Sequence, residues 1–100
     1  MKKSDQDQFE VLRRINKKSD ITQRELSNTL GLSLGKINYC LSALKEKGFI
    51  KIKNFKKSKN KLKYMYVLTP EGIAEKSKLT LNFMKQKMRE YEDLKKDLEK

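Results

Sequence analysis

The chain has no histidine and no tryptophan, and among its 100 residues it has one cysteine, one proline and four glycines. A lone Cys40 excludes an internal disulfide, and without histidine the usual tetrahedral zinc set cannot be assembled within one chain. The same two shortages remove the nucleophile–base pairs on which common hydrolases depend. No glycine-rich phosphate loop and no internal repeat is found. No apolar run is long enough to span a bilayer, and Met1–Glu10 lacks the charged-then-apolar order of a signal peptide, so a cytoplasmic protein with no membrane contact is expected. With 36% apolar and 38% charged residues, the chain is a single small unit whose core is too thin for a catalytic pocket and a large ligand cavity. An enzyme is therefore the least favoured class and no cofactor is implied. A partner subunit is the expected source of extra stability.

The other shortage is local. Between Lys51 and Lys63 there are seven lysines and no acid, a segment that holds more than half of the net charge of +12. Such a segment attracts phosphate by releasing condensed counterions, a term that is independent of sequence and collapses with salt. Lysine-rich composition alone also suits mere solubility. The lack of compensating acids in this one stretch favours a polyanion.

What surrounds the lysines gives them a frame. Phe9, Leu12 and Ile15, with Val11 beside them, recur at helical spacing and predict a helix from Asp5 to Lys17, with Ser4 or Asp5 as the cap. Thr22-Gln23-Arg24-Glu25 reads as a capping box that opens a second helix over Gln23–Leu30. Gly31 suits the left-handed residue that ends it, and Ser33 caps the next helix. In this third helix Ile37, Leu41 and Leu44 form an inward stripe flanked by Cys40 and Leu34. Gly35, Asn38, Tyr39, Ser42 and Glu46 face the other way, and Lys36 stands at the helix start. An amide, a phenol, a hydroxyl and an ammonium are what base edges and phosphates require. Gly48 ends the helix. Phe49-Ile50 then begins a strand, a basic tip follows, and Lys63–Leu68 returns as a second strand. Thr69-Pro70-Glu71-Gly72 supplies a cap, a first-turn proline and an acid near a helix N-terminus. In the long final helix Leu81, Met84, Met88, Tyr91 and Leu98 fit a seven-residue repeat that Lys95 interrupts, with Lys87 and Glu92 placed to pair between parallel chains. The alternative for this helix is to lie back across the first one, and the two are compatible.

The order helix, helix, helix, hairpin, long helix is mainly α with a small β-hairpin, a winged helix-turn-helix plus a long C-terminal helix. The segment ITQRELSNTLGLSLGKINYCLSALKEKGFIKIKNF, followed by YMYVLTPEGIAEK, resembles the MarR-type regulators, most closely the short branch associated with exopolysaccharide gene clusters. The resemblance runs from about Phe9 to Leu98. It implies a DNA-binding domain over residues 5–70 and a dimerisation helix over 71–100. It further implies a dimeric, DNA-binding transcription factor; the reading adopted for the chain is a homodimeric repressor on an inverted repeat in double-stranded DNA. Ser33, Gly35, Lys36, Asn38, Tyr39 and Ser42 would read or clamp the major groove. Lys53, Lys56, Lys57, Lys59 and Lys61 of the wing would hold phosphates. Full-length members carry an extra N-terminal helix that helps form an effector pocket, and its lack here argues against an inducing small molecule.

Rival readings attach to several of these residues. Cys40 under the third helix suits a redox switch, but a small buried hydrophobe is the favoured reading. Tyr64 and Tyr66 share one strand face and suit either DNA contact or packing on the first helix. Arg13, Arg14, Lys17 and Lys18 either extend a phosphate footprint or form a solvated helix end. For the whole chain, the alternatives are a winged-helix module that docks an acidic protein, or a non-specific nucleic-acid binder. Single-strand or RNA binding would call for more aromatics in the basic segment than Phe55.

Overall fold

The computed structural model describes residues 2–58 and 61–99, with side chains described outside 55–63. The elements run α1 (Lys3–Lys17), α2 (Gln23–Leu30), α3 (Leu34–Glu46), β1 (Ile50–Ser58), β2 (Lys61–Leu68) and α4 (Pro70–Leu98). The helix starts follow capping chemistry where it exists. Thr22 Oγ1 accepts from Glu25 N at 3.0 Å and Ser33 Oγ accepts from Lys36 N at 3.1 Å, each filling a donor that the first turn leaves open. Gly31 is left-handed at φ 68°, closing α2 by a 2.9 Å bond to Ser27 O, and Gly48 turns the chain out of α3 at φ 77°. Lys18 Nζ meets Glu25 at 2.8 Å and ties the end of α1 to the start of α2. That hydrogen bond first, helped by the Thr22 backbone N–H, holds the Glu25 carboxyl below its ordinary value, and its counterpart raises the Lys18 ammonium.

Four sequence expectations shift. α1 begins at Lys3, with Lys2 as its cap residue and no side-chain cap bond, so Ser4 and Asp5 lie inside the helix. β1 starts at Ile50 because Phe49 N is taken by Leu44 O at 2.9 Å in the turn out of α3. β2 reaches back to Lys61, beyond Lys63. Leu34, expected beside the inward stripe of α3, is 47% exposed because it is the first residue of the helix, before the core begins.

Val11, Leu12 and Ile15 of α1, Leu26 of α2, and Ile37, Cys40, Leu41 and Leu44 of α3 form the core, closed by Ile21, Ile50 and Tyr66. Burial of each Leu or Ile contributes about 1.5–3 kcal/mol, which makes this three-helix cluster the main source of stability. The hairpin is antiparallel, with Ile50 opposite Leu68, Ile52 opposite Tyr66 and Asn54 opposite Tyr64. Its base is fastened on both sides. Tyr66 N donates to Ser19 O at 2.8 Å, and Thr69 N donates to Phe49 O at 3.0 Å. Thr69 Oγ1 accepts from Gly72 N at 3.0 Å while donating to Gly48 O at 2.6 Å, so one hydroxyl caps α4 and clamps the turn after α3. Gly72 is buried, with the Phe49 carbonyl where its Cβ would be. α4 returns over α1, where Leu79 joins the core and the Phe83 and Phe9 rings stand 5.7 Å apart, and then projects from the body.

Candidate nucleic-acid interface

α3 divides into two faces. Ile37, Cys40, Leu41 and Leu44 are buried, whereas Gly35, Asn38, Tyr39 and Ser42 are exposed and follow one another at helical spacing on the opposite side. Tyr39 is 59% exposed, far more than a phenol packed for stability alone would be. Ser33 is also exposed, but its oxygen is engaged with Lys36 N, which leaves its hydroxyl proton free to donate. A Cβ on Gly35 would meet nothing nearer than Ser33 Oγ at 4.0 Å, so no contact among the described residues requires glycine there.

Lys36, expected to read or clamp the groove, is half-buried in the first turn of α3. Its ammonium lies 3.7 Å from Asp7 Oδ2 on α1 and 5.5 Å from the centre of the Tyr39 ring. Asp7 is 7% exposed, and its Oδ2 is buried with no hydrogen-bond partner among the described residues. This acid is not legible in the sequence, because its burial depends on how α1 lies on α3 and not on local spacing. The Cys40 thiol, 1% exposed, is pushed up from its ordinary value by burial first and by the Asp7 charge second, with Lys36 opposing. That protonated, enclosed thiol is a core residue.

On the wing, Lys51 and Lys53 of β1 are exposed on the face opposite Ile50 and Ile52. The side chains of Lys56, Lys57 and Lys61, and Lys59 altogether, lie outside the described residues. The tyrosine pair divides: Tyr66 is 4% exposed and packs in the core, while Tyr64, further along the wing, is 52% exposed. Of the basic cluster at the end of α1, Arg13 pairs with Glu10 at 3.1 Å and Lys18 with Glu25, so two of the four cations are already used.

The five α4 residues at heptad spacing are all open: Leu81 58%, Met84 57%, Met88 64%, Tyr91 63% and Leu98 87% exposed. Leu94 at 65% joins the same side and was missed because it sits one position off the strict repeat. Phe83, between them in sequence, faces α1 instead. Lys87 bonds Glu90 of its own helix at 3.4 Å and lies over the Phe83 ring, 5.2 Å from its centre. No group of three or more potential metal ligands occurs among the described residues, and no helix among them is long and apolar enough to cross a membrane.

Residues 5–51 match the family described as winged helix-turn-helix DNA-binding. Among solved structures, MarR from Staphylococcus aureus in complex with salicylate and kanamycin superposes with a TM-score of 0.65 at 26% identity, over 86% of this chain and 56% of that one. A mutant MarR from E. coli complexed with operator DNA gives 0.59 at 30% identity, over 71% and 49%. The S. aureus MepR mutant bound to an oligodeoxyribonucleotide gives 0.62 at 19% identity, over 96% and 82%, a likeness of fold. The chain thus spans about half the length of the two MarR structures. No curated protein sequence matches it. The fold is a winged helix-turn-helix, with α2–α3 as the helix-turn-helix, β1–β2 as the wing and α4 as an added long helix.

Proposed function

We propose that the chain is a MarR-type transcriptional regulator, a homodimeric repressor acting in the cytoplasm on an inverted repeat in duplex DNA. The observation that carries this reading is the outer face of α3: Gly35, Asn38, Tyr39 and Ser42 stand exposed in one row on a helix whose other side is wholly buried. A helix held this way fits the major groove, where Asn38 bonds adenine through two contacts and Tyr39 reaches a phosphate or a thymine methyl. Ser33 and Lys36 clamp the backbone at the helix start. Lys53, Lys56, Lys57, Lys59 and Lys61 supply sequence-independent affinity along the flanking phosphates. Residues 5–70 act as the DNA-binding unit. Residues 71–100 pair two copies through Leu81, Met84, Met88, Tyr91 and Leu98, which sets two α3 helices about one DNA turn, roughly 10 bp, apart. The link to exopolysaccharide genes rests on the sequence resemblance alone, and transcript profiling of a deletion strain tests it.

Selection of bound sites from a random duplex library, with affinities repeated at several salt concentrations, tests the main reading. The expected winner is palindromic and bound at least about 10³-fold more tightly than random duplex. Tight but unselective binding that vanishes with salt would reduce the chain to an electrostatic clamp and overturn the assignment of α3.

A further inference from the structure

Asp7 is a buried carboxylate, 7% exposed, that the proposed interface leaves unused. It lies on α1 one turn before Val11, among residues that otherwise build the core, and its Oδ2 has no hydrogen-bond partner among the described residues. A buried carboxylate oxygen left without donors is costly, so the residue needs a compensating charge. Lys36 Nζ, at 3.7 Å, supplies it. The attraction is stronger than that of a surface pair, because one partner is shielded from water. The same ammonium lies over the Tyr39 ring, 5.5 Å from its centre. A lysine in the first turn of a groove-reading helix is ordinarily free to reach any phosphate. Here it is drawn back toward α1.

We propose that Asp7 is a positioning residue for DNA recognition: its buried carboxylate holds Lys36 against Tyr39 and withholds that charge from indiscriminate phosphate contact. The inference rests on the reading of α3 given above. On random duplex the wing lysines act and Lys36 stays with Asp7. On a site whose bases fit Asn38 and Tyr39, α3 seats deeply enough to bring an aligned phosphate to Lys36, which then leaves Asp7. The exchange charges a penalty to every badly seated complex and thereby widens discrimination.

The experiment is a double-mutant cycle with Asp7→Asn and Lys36→Met, read as affinity and salt slope on random duplex and on the selected site, with Asp7→Glu as the charge-conserving control. Asp7→Asn is expected to tighten random-duplex binding by about 3- to 10-fold and to steepen the salt slope by about one per protomer, so the selected-to-random ratio shrinks. In the Lys36→Met background the same change is expected to do nothing, and Asp7→Glu is expected to keep the wild-type ratio. Tightening that persists without Lys36 would mean that removing any acid near DNA suffices, and would overturn the proposal, as would an unchanged ratio in Asp7→Asn. Should Asp7→Asn fail to fold, Lys36→Met decides by itself. A withheld lysine predicts loss on the selected site alone, whereas equal loss on both duplexes refutes withholding. Absence of any selected site for the wild-type protein removes the reading of α3 and this inference with it; a selected site combined with either contrary result removes only the inference.

Discussion

Gly35 occupies the second position of α3, exposed, with nothing among the described residues close enough to object to a methyl group. Glycine inside a helix costs about 0.5–1 kcal/mol relative to alanine, so its benefit has to come from outside the chain. In the proposed complex that benefit is close approach of the α3 backbone to the DNA. Gly35→Ala is expected to stabilise the fold by about 0.5–1 kcal/mol while weakening binding to the selected duplex. Thermal unfolding and DNA titration on the same sample check the opposed signs, and a gain in both would free Gly35 from the interface. Asn38 and Lys53 separate in a different way. Asn38→Ala is expected to cost about 1–3 kcal/mol at one base position of each half-site, with the salt slope unchanged. Lys53→Ala is expected to weaken all duplexes alike and to lower the slope by about one per protomer. Titrations on single-base variants of the site across a salt series distinguish the two; a common pattern for both residues would deny direct readout by Asn38.

At the scale of the element, α2 and α3 were legible because each end carries its own chemistry: Thr22 with Glu25, Gly31, Ser33 and Gly48 each mark a boundary where the structure has one. α1 lacks a capping side chain, so its start was misread by two residues. The outer face of α3 follows from period alone, but Asp7 beneath Lys36 and Phe83 against Phe9 are products of helix–helix contact, which no local pattern encodes. The join between β2 and α4 lies between these cases. Thr69 and Pro70 announce a helix start, yet the need for Gly72 appears only where the Phe49 carbonyl fills the space of its Cβ. Because a backbone carbonyl cannot swing aside, Gly72→Ala is expected to destabilise the protein by about 2–4 kcal/mol, although alanine is the better helix former. Urea unfolding measures it. A change below about 0.5 kcal/mol would show that α4 can lift from the turn without loss.

The molecule measures 66 × 27 × 20 Å because α4 outruns the body that its first half covers. Every residue from Lys87 to Glu99 is exposed, and the apolar row on this arm has no counterpart in its own chain among the described residues. A single projecting helix of this length is marginal in water, so the row calls for a second helix. A second copy of the chain offers the same row, and in a parallel pair Lys87 of one helix comes beside Glu92 of the other. The in-chain partner of Lys87, Glu90, is an exposed contact at 3.4 Å and of little consequence, which leaves the lysine available for that exchange. Met88 stands mid-row. Met88→Glu buries two carboxylates in the seam of a pair and none in a monomer, so it is expected to weaken self-association by at least about 10²-fold. The helix content of the arm should fall with it, while the core around Leu12, Leu26 and Leu44 stays folded. On DNA the affinity should drop to that of one half-site, because the second α3 is no longer delivered at high effective concentration. Sedimentation and circular dichroism read the first two effects, and titration of one- and two-half-site duplexes reads the third. A variant that still sediments as a dimer would place the seam away from this row, and the spacing of the two α3 helices would then have to be set by another surface.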